Sequence, residues 1–190
     1  ALLGGNKKES SSSGTKRFGT SGAKPFALLP ASGSASQPLA EWRARWEPTV
    51  DKNQWIPSGT AERILAEHPA PASYRPWMSS AGRSKDLVEL LVAEFATDNE
   101  AFLACQKIAL KEFFETVEKD ALTEEQIKAC VCMDHRIQIV AAAGSGKTST
   151  MVAKAGYVLQ QGLALGSQIL LLAFNTDAAE ELAERAKDRL

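Results

Sequence analysis

The sequence predicts an α/β fold, a parallel sheet carrying a phosphate-cradling loop, preceded by a helical segment and a disordered N-terminal tail. Three observations predict it. Residues 137–140 (Ile-Gln-Ile-Val) form a short β-branched run, as a strand requires. The glycine-bearing loop Ala141-Ala142-Ala143-Gly144-Ser145-Gly146-Lys147-Thr148 follows at once. Next come Met151, Val152, Ala155, Val158 and Leu159 at helical spacing, and then Gln168-Ile169-Leu170-Leu171-Leu172-Ala173-Phe174, a near-continuous apolar run. Such a run suits a strand buried on both faces of a parallel sheet. Strand, helix, strand, helix reads as a right-handed βαβ unit.

From the N-terminus, residues 1–40 are rich in Ser, Gly and Ala, without periodicity, and Lys7, Lys8, Lys16, Arg17 and Lys24 outnumber Glu9. So little apolar area cannot offset the entropy of ordering, and the segment is expected to be disordered. Its basic residues read either as a solvated tail, the more common case, or as a hold on nucleic-acid phosphates.

Residues 41–82 form a Trp/Pro-rich stretch expected to be irregular, with all four tryptophans (Trp42, Trp46, Trp55, Trp77). Trp42 and Trp46 share a helical face, with Arg43 and Arg45 between them. Aromatics interleaved with arginines can stack on bases. They can equally form a small apolar anchor, the reading we favour. Pro69-Ala70-Pro71 and Arg75-Pro76 read as extended linker.

Residues 83–120 are expected to form a helical hairpin. Leu87, Val88, Leu91, Val92 and Phe95 line one face, and Thr97-Asp98-Asn99 offers a break and a new N-cap. Leu103, Leu110, Phe113, Phe114 and Val117 line a second helix.

The nucleotide-binding unit is assigned to residues 121–190. Thr123-Glu124-Glu125-Gln126 opens a short helix with a capping-box sequence, which alone explains Gln126. In the loop, Gly144 and Gly146 let the backbone close around phosphate oxygens, and the amides opening the next helix suit their charge. Lys147 would meet the β and γ phosphates, and the Thr148 hydroxyl suits Mg²⁺ held with ATP. Ser149 completes the expected set of cofactor contacts. Ala141 stands where the strict G-x-x-x-x-G-K-[ST] pattern has glycine. Gly162 is the expected stop of the helix, and Asn175 or Thr176 can cap the last one, with Asp177 near its positive end. Glu181 and Arg185 form an i, i+4 pair on its outer face.

Three segments carry a likeness: residues 122–126, residues 140–150, and Ile169 to Asn175 followed by Ala178-Ala179-Glu180-Glu181-Leu182. Together they resemble the UvrD/Rep-like superfamily 1 DNA helicases. The Ala173-Phe174-Asn175 wording and Ala153-Lys154-Ala155-Gly156 are most similar to the DNA helicase IV branch. The likeness covers roughly residues 120–190 and is weak or absent over the first 80. It implies a partial RecA-like P-loop domain that binds ATP and Mg²⁺, with hydrolysis driving translocation on single-stranded DNA and unwinding of double-stranded DNA. The family also implies 3′–5′ direction and a role in DNA repair, neither of which the residues themselves encode. It implies that Gln126 reads adenine, that Ala141, Ala142, Ala143, Gly144, Ser145, Gly146, Lys147, Thr148 and Ser149 hold the nucleotide, and that Phe174, Asn175 and Thr176 touch DNA. Ala142 departs from the family's usual glycine, and Asp177 stands where relatives often carry Lys.

Two other readings stay open: a P-loop ATPase or kinase unrelated to unwinding, and a piece that only binds DNA or protein. Beginning with Ala1 and ending at Leu190, the chain reads as a fragment. The carboxylate, water-orienting group and arginine that phosphoryl transfer requires are not identifiable in it, so no turnover is expected from this chain alone. Cys130, Cys132 and His135 are spaced C-x-C-x-x-H, but without a fourth ligand nearby we favour buried thiols over a metal site. The net charge of −1 gives no global argument for a nucleic-acid or membrane partner. Three cysteines fit reduced thiols, and no run reaches the ~20 apolar residues of a bilayer span, so a cytoplasmic protein with no membrane partner is expected. Oligomeric state is not legible.

Overall fold

A computed structural model describes residues 36–72, 77–78, 84–142 and 144–190. The expectation of disorder over residues 1–40 falls, up to residue 35, outside the described residues. Seven helices carry the described chain: α1 (Ser36–Trp46), α2 (Thr60–Glu67), α3 (Leu87–Ala109), α4 (Lys111–Thr116), α5 (Glu124–Val131), α6 (Lys147–Gln160) and α7 (Thr176–Arg189). The only strand pairing among the described residues is a two-residue antiparallel ladder, β1 (Trp77–Met78) on β2 (Ser84–Lys85).

The predicted α/β class is therefore corrected: the described fold is helical, with no parallel sheet and no RecA-like sheet architecture. Residues 137–142 and 169–175 run without helix or ladder. Leu170 is 77%, Leu172 73% and Phe174 103% exposed, while Ile169 and Leu171 are half-buried. The physical reason is that β preference describes how a side chain fits a pleated, partnered surface. Each run has the composition of a strand, but its backbone finds no neighbour among the described residues, and without a ladder the composition alone creates no sheet.

Two apolar cores share α3. Its first half packs Leu87, Leu90, Leu91 and Phe95 against Trp42, Trp46, Ile56, Ala61 and Ile64. Its second half contributes Leu103 to a core with Phe114, Val117, Leu122, Ile127, Cys130, Val131, Ala153 and Tyr157. Asp86 starts α3 by accepting from the Glu89 amide at 2.8 Å, satisfying an amide that has no carbonyl one turn back. The expected break at Thr97-Asp98-Asn99 does not occur. The Thr97 hydroxyl donates back to the Ala93 carbonyl at 3.0 Å, and Asn99 spends its side chain on the Ile56 backbone, so neither competes with the helix.

Trp42 and Trp46 lie inside the first core, edge to face with centroids 5.5 Å apart, and Trp42 donates its indole N–H to the His68 carbonyl at 2.7 Å. They are an apolar anchor, with neither ring face open to a base. Arg43 is buried with them, hydrogen-bonded and ion-paired to Glu94 of α3 and lying 5.3 Å from the Trp46 ring centroid. Among the described residues no helix is long and apolar enough to cross a membrane.

Candidate functional site

The candidate site is built where α5, the loop of residues 141–146 and the first turn of α6 meet. Thr123 opens α5 with the predicted capping box. Its hydroxyl accepts from the Gln126 amide at 3.3 Å, and the Gln126 Oε1 accepts from the Thr123 amide at 2.8 Å. That leaves the other half of the Gln126 amide group to act elsewhere. Its Nε2 donates to the Ser145 carbonyl at 3.2 Å, so one side chain both caps α5 and touches the loop.

The loop closes by turns that its glycines permit. Gly144 and Gly146 sit at φ +76° and +81°, where an L side chain is strained. At Gly146 a Cβ would also come within 2.6 Å of Gln126 Nε2. The Ser145 hydroxyl donates to the Ala142 carbonyl at 2.7 Å, and Thr150 of α6 donates its amide and hydroxyl to the Gly146 carbonyl at 2.8 and 3.0 Å. The Lys147 ammonium folds back onto the Ala141 and Ala142 carbonyls at 3.0 and 2.6 Å. Lys147 is exposed and Thr148 half-buried, both in the opening turn of α6, whose first amides have no carbonyl one turn back. Ala143 lies outside the described residues.

Phe174, Asn175 and Thr176 lead into α7. Asn175 caps α7, its Oδ1 accepting from the Ala178 amide at 2.9 Å, and Phe174 is fully exposed beside it. Arg185 of α7 touches the first turn of α6. Its guanidinium reaches Ser149 Oγ at 3.4 Å while pairing with Glu181 at 2.6 Å, so this arginine faces α6 as well as its own helix.

Sequence reasoning missed Lys154. It reaches across from α6 and donates to the Ala129, Cys130 and Cys132 carbonyls at 3.0, 3.3 and 2.5 Å, closing the C-terminal end of α5. Burial lowers its pKa below the ordinary lysine value, because desolvation disfavours the charged form. Cys130, fully buried at this junction, has its thiol pushed up to about 12 by burial, and Cys132 is raised for the same reason. Among the described residues no group of His, Cys, Asp and Glu has the arrangement to hold a metal. Nothing in the spacing of Lys154 announced its role, which follows from how α5 packs on α6.

Residues 122–190 match the UvrD/REP helicase N-terminal domain. The family segment begins just before the capping box of α5 and runs through the loop, α6 and α7. Over 92 residues the chain is 45% identical to DNA helicase IV of Escherichia coli, covering 48% of this chain and 14% of that protein. It is 37% identical over 91 residues to an ATP-dependent helicase/nuclease of Streptococcus sanguinis, 47% of this chain and 7% of that one. Against DNA helicase II of Rickettsia typhi it is 38% identical over 64 residues, 34% of this chain and 10% of the relative. The chain thus spans a small part of the length of these relatives. No solved structure matches it.

Proposed function

We propose that this chain supplies the nucleotide-binding part of an ATP-dependent DNA helicase, with residues 121–190 as the nucleotide-binding unit. The observation that carries the reading is the loop itself. Two glycines at positive φ lead straight into the N-terminus of α6, with Lys147 at its first position and the Lys147 ammonium resting on loop carbonyls that a phosphate oxygen would replace. The match of residues 122–190 to the UvrD/REP helicase N-terminal domain and relatives named as DNA helicases, together with one named as an ATP-dependent helicase/nuclease subunit, support it.

In this reading the amides opening α6 and the Lys147 charge bind the triphosphate, and the helix dipole favours its negative charge. Ala141, Ala142, Gly144 and Ser145 form the wall of the cradle, and Ser149 lies in the first turn of the helix behind it. Thr148 fits a magnesium ion bound with ATP. The residue is half-buried in the first turn of α6. The ion, when bound, neutralises charge on the β and γ phosphates. Gln126, already against Ser145, is the residue in reach of the base. Phe174, exposed, offers a stacking face for a DNA base, and Asn175 and Thr176 at the positive end of α7 suit a phosphate.

Calorimetric titration of the 190-residue chain with Mg·ATP tests the reading. Binding that Lys147→Ala abolishes, with the helical circular dichroism unchanged, is the expected result. Equal binding by wild type and Lys147→Ala, or none by either, overturns it.

A further inference from the structure

The turn at residues 55–58 lies outside the segment that matches the helicase family, yet it is tied to that segment at one residue. Asp134 Oδ1 accepts two hydrogen bonds from it, one from the Trp55 indole N–H at 2.9 Å and one from the Ser58 amide at 2.9 Å. The turn is itself fixed to α3. The Ile56 amide donates to Asn99 Oδ1 at 2.8 Å, and Asn99 Nδ2 donates to the Ile56 carbonyl at 2.9 Å. The Trp55 side chain also packs on the core that holds Ile127, Cys130 and Val131 of α5.

Asp134 follows the last turn of α5, a helix of eight residues and so about 12 Å long. At the other end of that short rod, Gln126 donates to the phosphate-loop carbonyl of Ser145. The helix is thus held at one end by the N-terminal turn and touches the candidate nucleotide site with the other. A rigid element so short transmits a shift at its exit to its entry, because its packed side chains permit no bending between them.

We propose that Asp134 is a positioning residue for nucleotide recognition: by fastening the exit of α5 to the Trp55–Ser58 turn, it sets where Gln126 presents its amide to a bound base. The inference rests on the proposed reading that Gln126 meets the base. It gives the N-terminal region a part in selecting the nucleotide, without touching it. The phosphates, held by the first amides of α6 and by Lys147, do not depend on this fastening.

The test measures the affinities of the 190-residue chain for ATP, GTP and inorganic tripolyphosphate, each with magnesium, by calorimetry. Asp134→Ala is expected to lower the ratio of ATP to GTP affinity about fivefold, the worth of one hydrogen bond, and to leave tripolyphosphate binding within about twofold. Trp55→Phe removes the indole donor along with part of the ring's bulk, leaves Asp134 in place, and is expected to shift the ratio in the same direction by a smaller factor. It also keeps the proposal testable if Asp134→Ala fails to fold. Gln126→Ala separates the two ideas. A ratio that falls in Gln126→Ala and stays at the wild-type value in both Asp134→Ala and Trp55→Phe overturns the positioning role alone. A ratio unchanged in Gln126→Ala removes the base-reading role and this inference with it. An equal loss for all three ligands in both variants means that Asp134 acts only on stability, and also overturns the proposal.

Discussion

The Lys154 ammonium sits 2.5 Å from the Cys132 carbonyl, joining α6 to the end of α5. The carbonyls that close a helix have no intrahelical partner, and a cation there also meets the negative end of the dipole. One half-buried side chain satisfies three of them. Lys154→Met keeps the apolar stem and removes the donor. It is expected to cost about 1–3 kcal/mol, the penalty of leaving these partly buried helix-end carbonyls unmet. Urea unfolding followed by circular dichroism measures it, and a midpoint equal to wild type would show that water replaces the ammonium there.

The same junction makes stability sensitive to alkali. Cys130 ionises near its ordinary value of 9.0 when unfolded and only at about 12 when folded. Between those values the folded state binds more protons than the unfolded one, so stability falls as pH rises, by about 1.4 kcal/mol per unit from this group. Cys132, also raised, acts in the same sense. Lys154 acts oppositely. Its folded pKa is depressed, so stability rises with pH from that value up to 10.5. Cys130→Ala is therefore expected to flatten the decline between pH 9 and about 12, the window that the shifted thiol opens, and chemical denaturation at half-unit pH steps would reveal it. Parallel slopes in the two proteins would contradict the assignment.

The local signals were legible because they depend on neighbours in sequence. Thr123 and Gln126 are three apart and form the box that their spacing predicts. Asn175 caps α7, and Gly162 turns at φ +65° after α6, each satisfying groups within one turn of itself. The helical face of Leu87, Leu91 and Phe95 also reads directly from its period. What failed was whatever depends on a distant partner. The runs at 137–140 and 168–174 look like strands, but pairing is a property of two segments. Asn99 reads as a helix breaker because its partner, Ile56, lies forty-three residues away. Asp134 and Lys154 carry no pattern at all, since their acceptors and donors are set by how α5 lies on α6 and on the Trp55–Ser58 turn.

Gly146 answers two demands at once, a φ of +81° and a Cβ position only 2.6 Å from Gln126 Nε2. The second demand is the softer, because the end of a glutamine side chain can move. Gly146→Ala is therefore expected to displace Gln126 from Ser145 and to cost about 1–2 kcal/mol, mainly from the left-handed backbone. Thermal unfolding reads the cost. The double variant Gly146→Ala/Gln126→Ala separates the parts: if the clash with Gln126 dominates instead, it recovers most of the loss.

Arg43 and Glu94 pose the sharper energetic question, because both lie inside the first core, 3% and 6% exposed. Burial works against the charged guanidinium, yet its hydrogen bonds to Glu94 and Glu47 outweigh that cost and hold its pKa above the ordinary arginine value. Lys52 adds a second cation to Glu94 at 3.3 Å and reaches Asp98 at 3.0 Å, so the carboxylate balances two charges. Removing Glu94 alone takes the buried carboxylate from the guanidinium and leaves it the half-exposed Glu47, and Glu94→Ala is expected to destabilise by about 3–5 kcal/mol. Replacing both partners with apolar groups of similar volume removes the desolvation cost along with the attraction. Arg43→Met/Glu94→Leu should then be more stable than Glu94→Ala, with a coupling between the two sites that a double-mutant cycle of urea midpoints measures. Strictly additive losses at the two positions would mean that the pair contributes through separate contacts, Arg43 through Trp46 and Glu94 through Lys52.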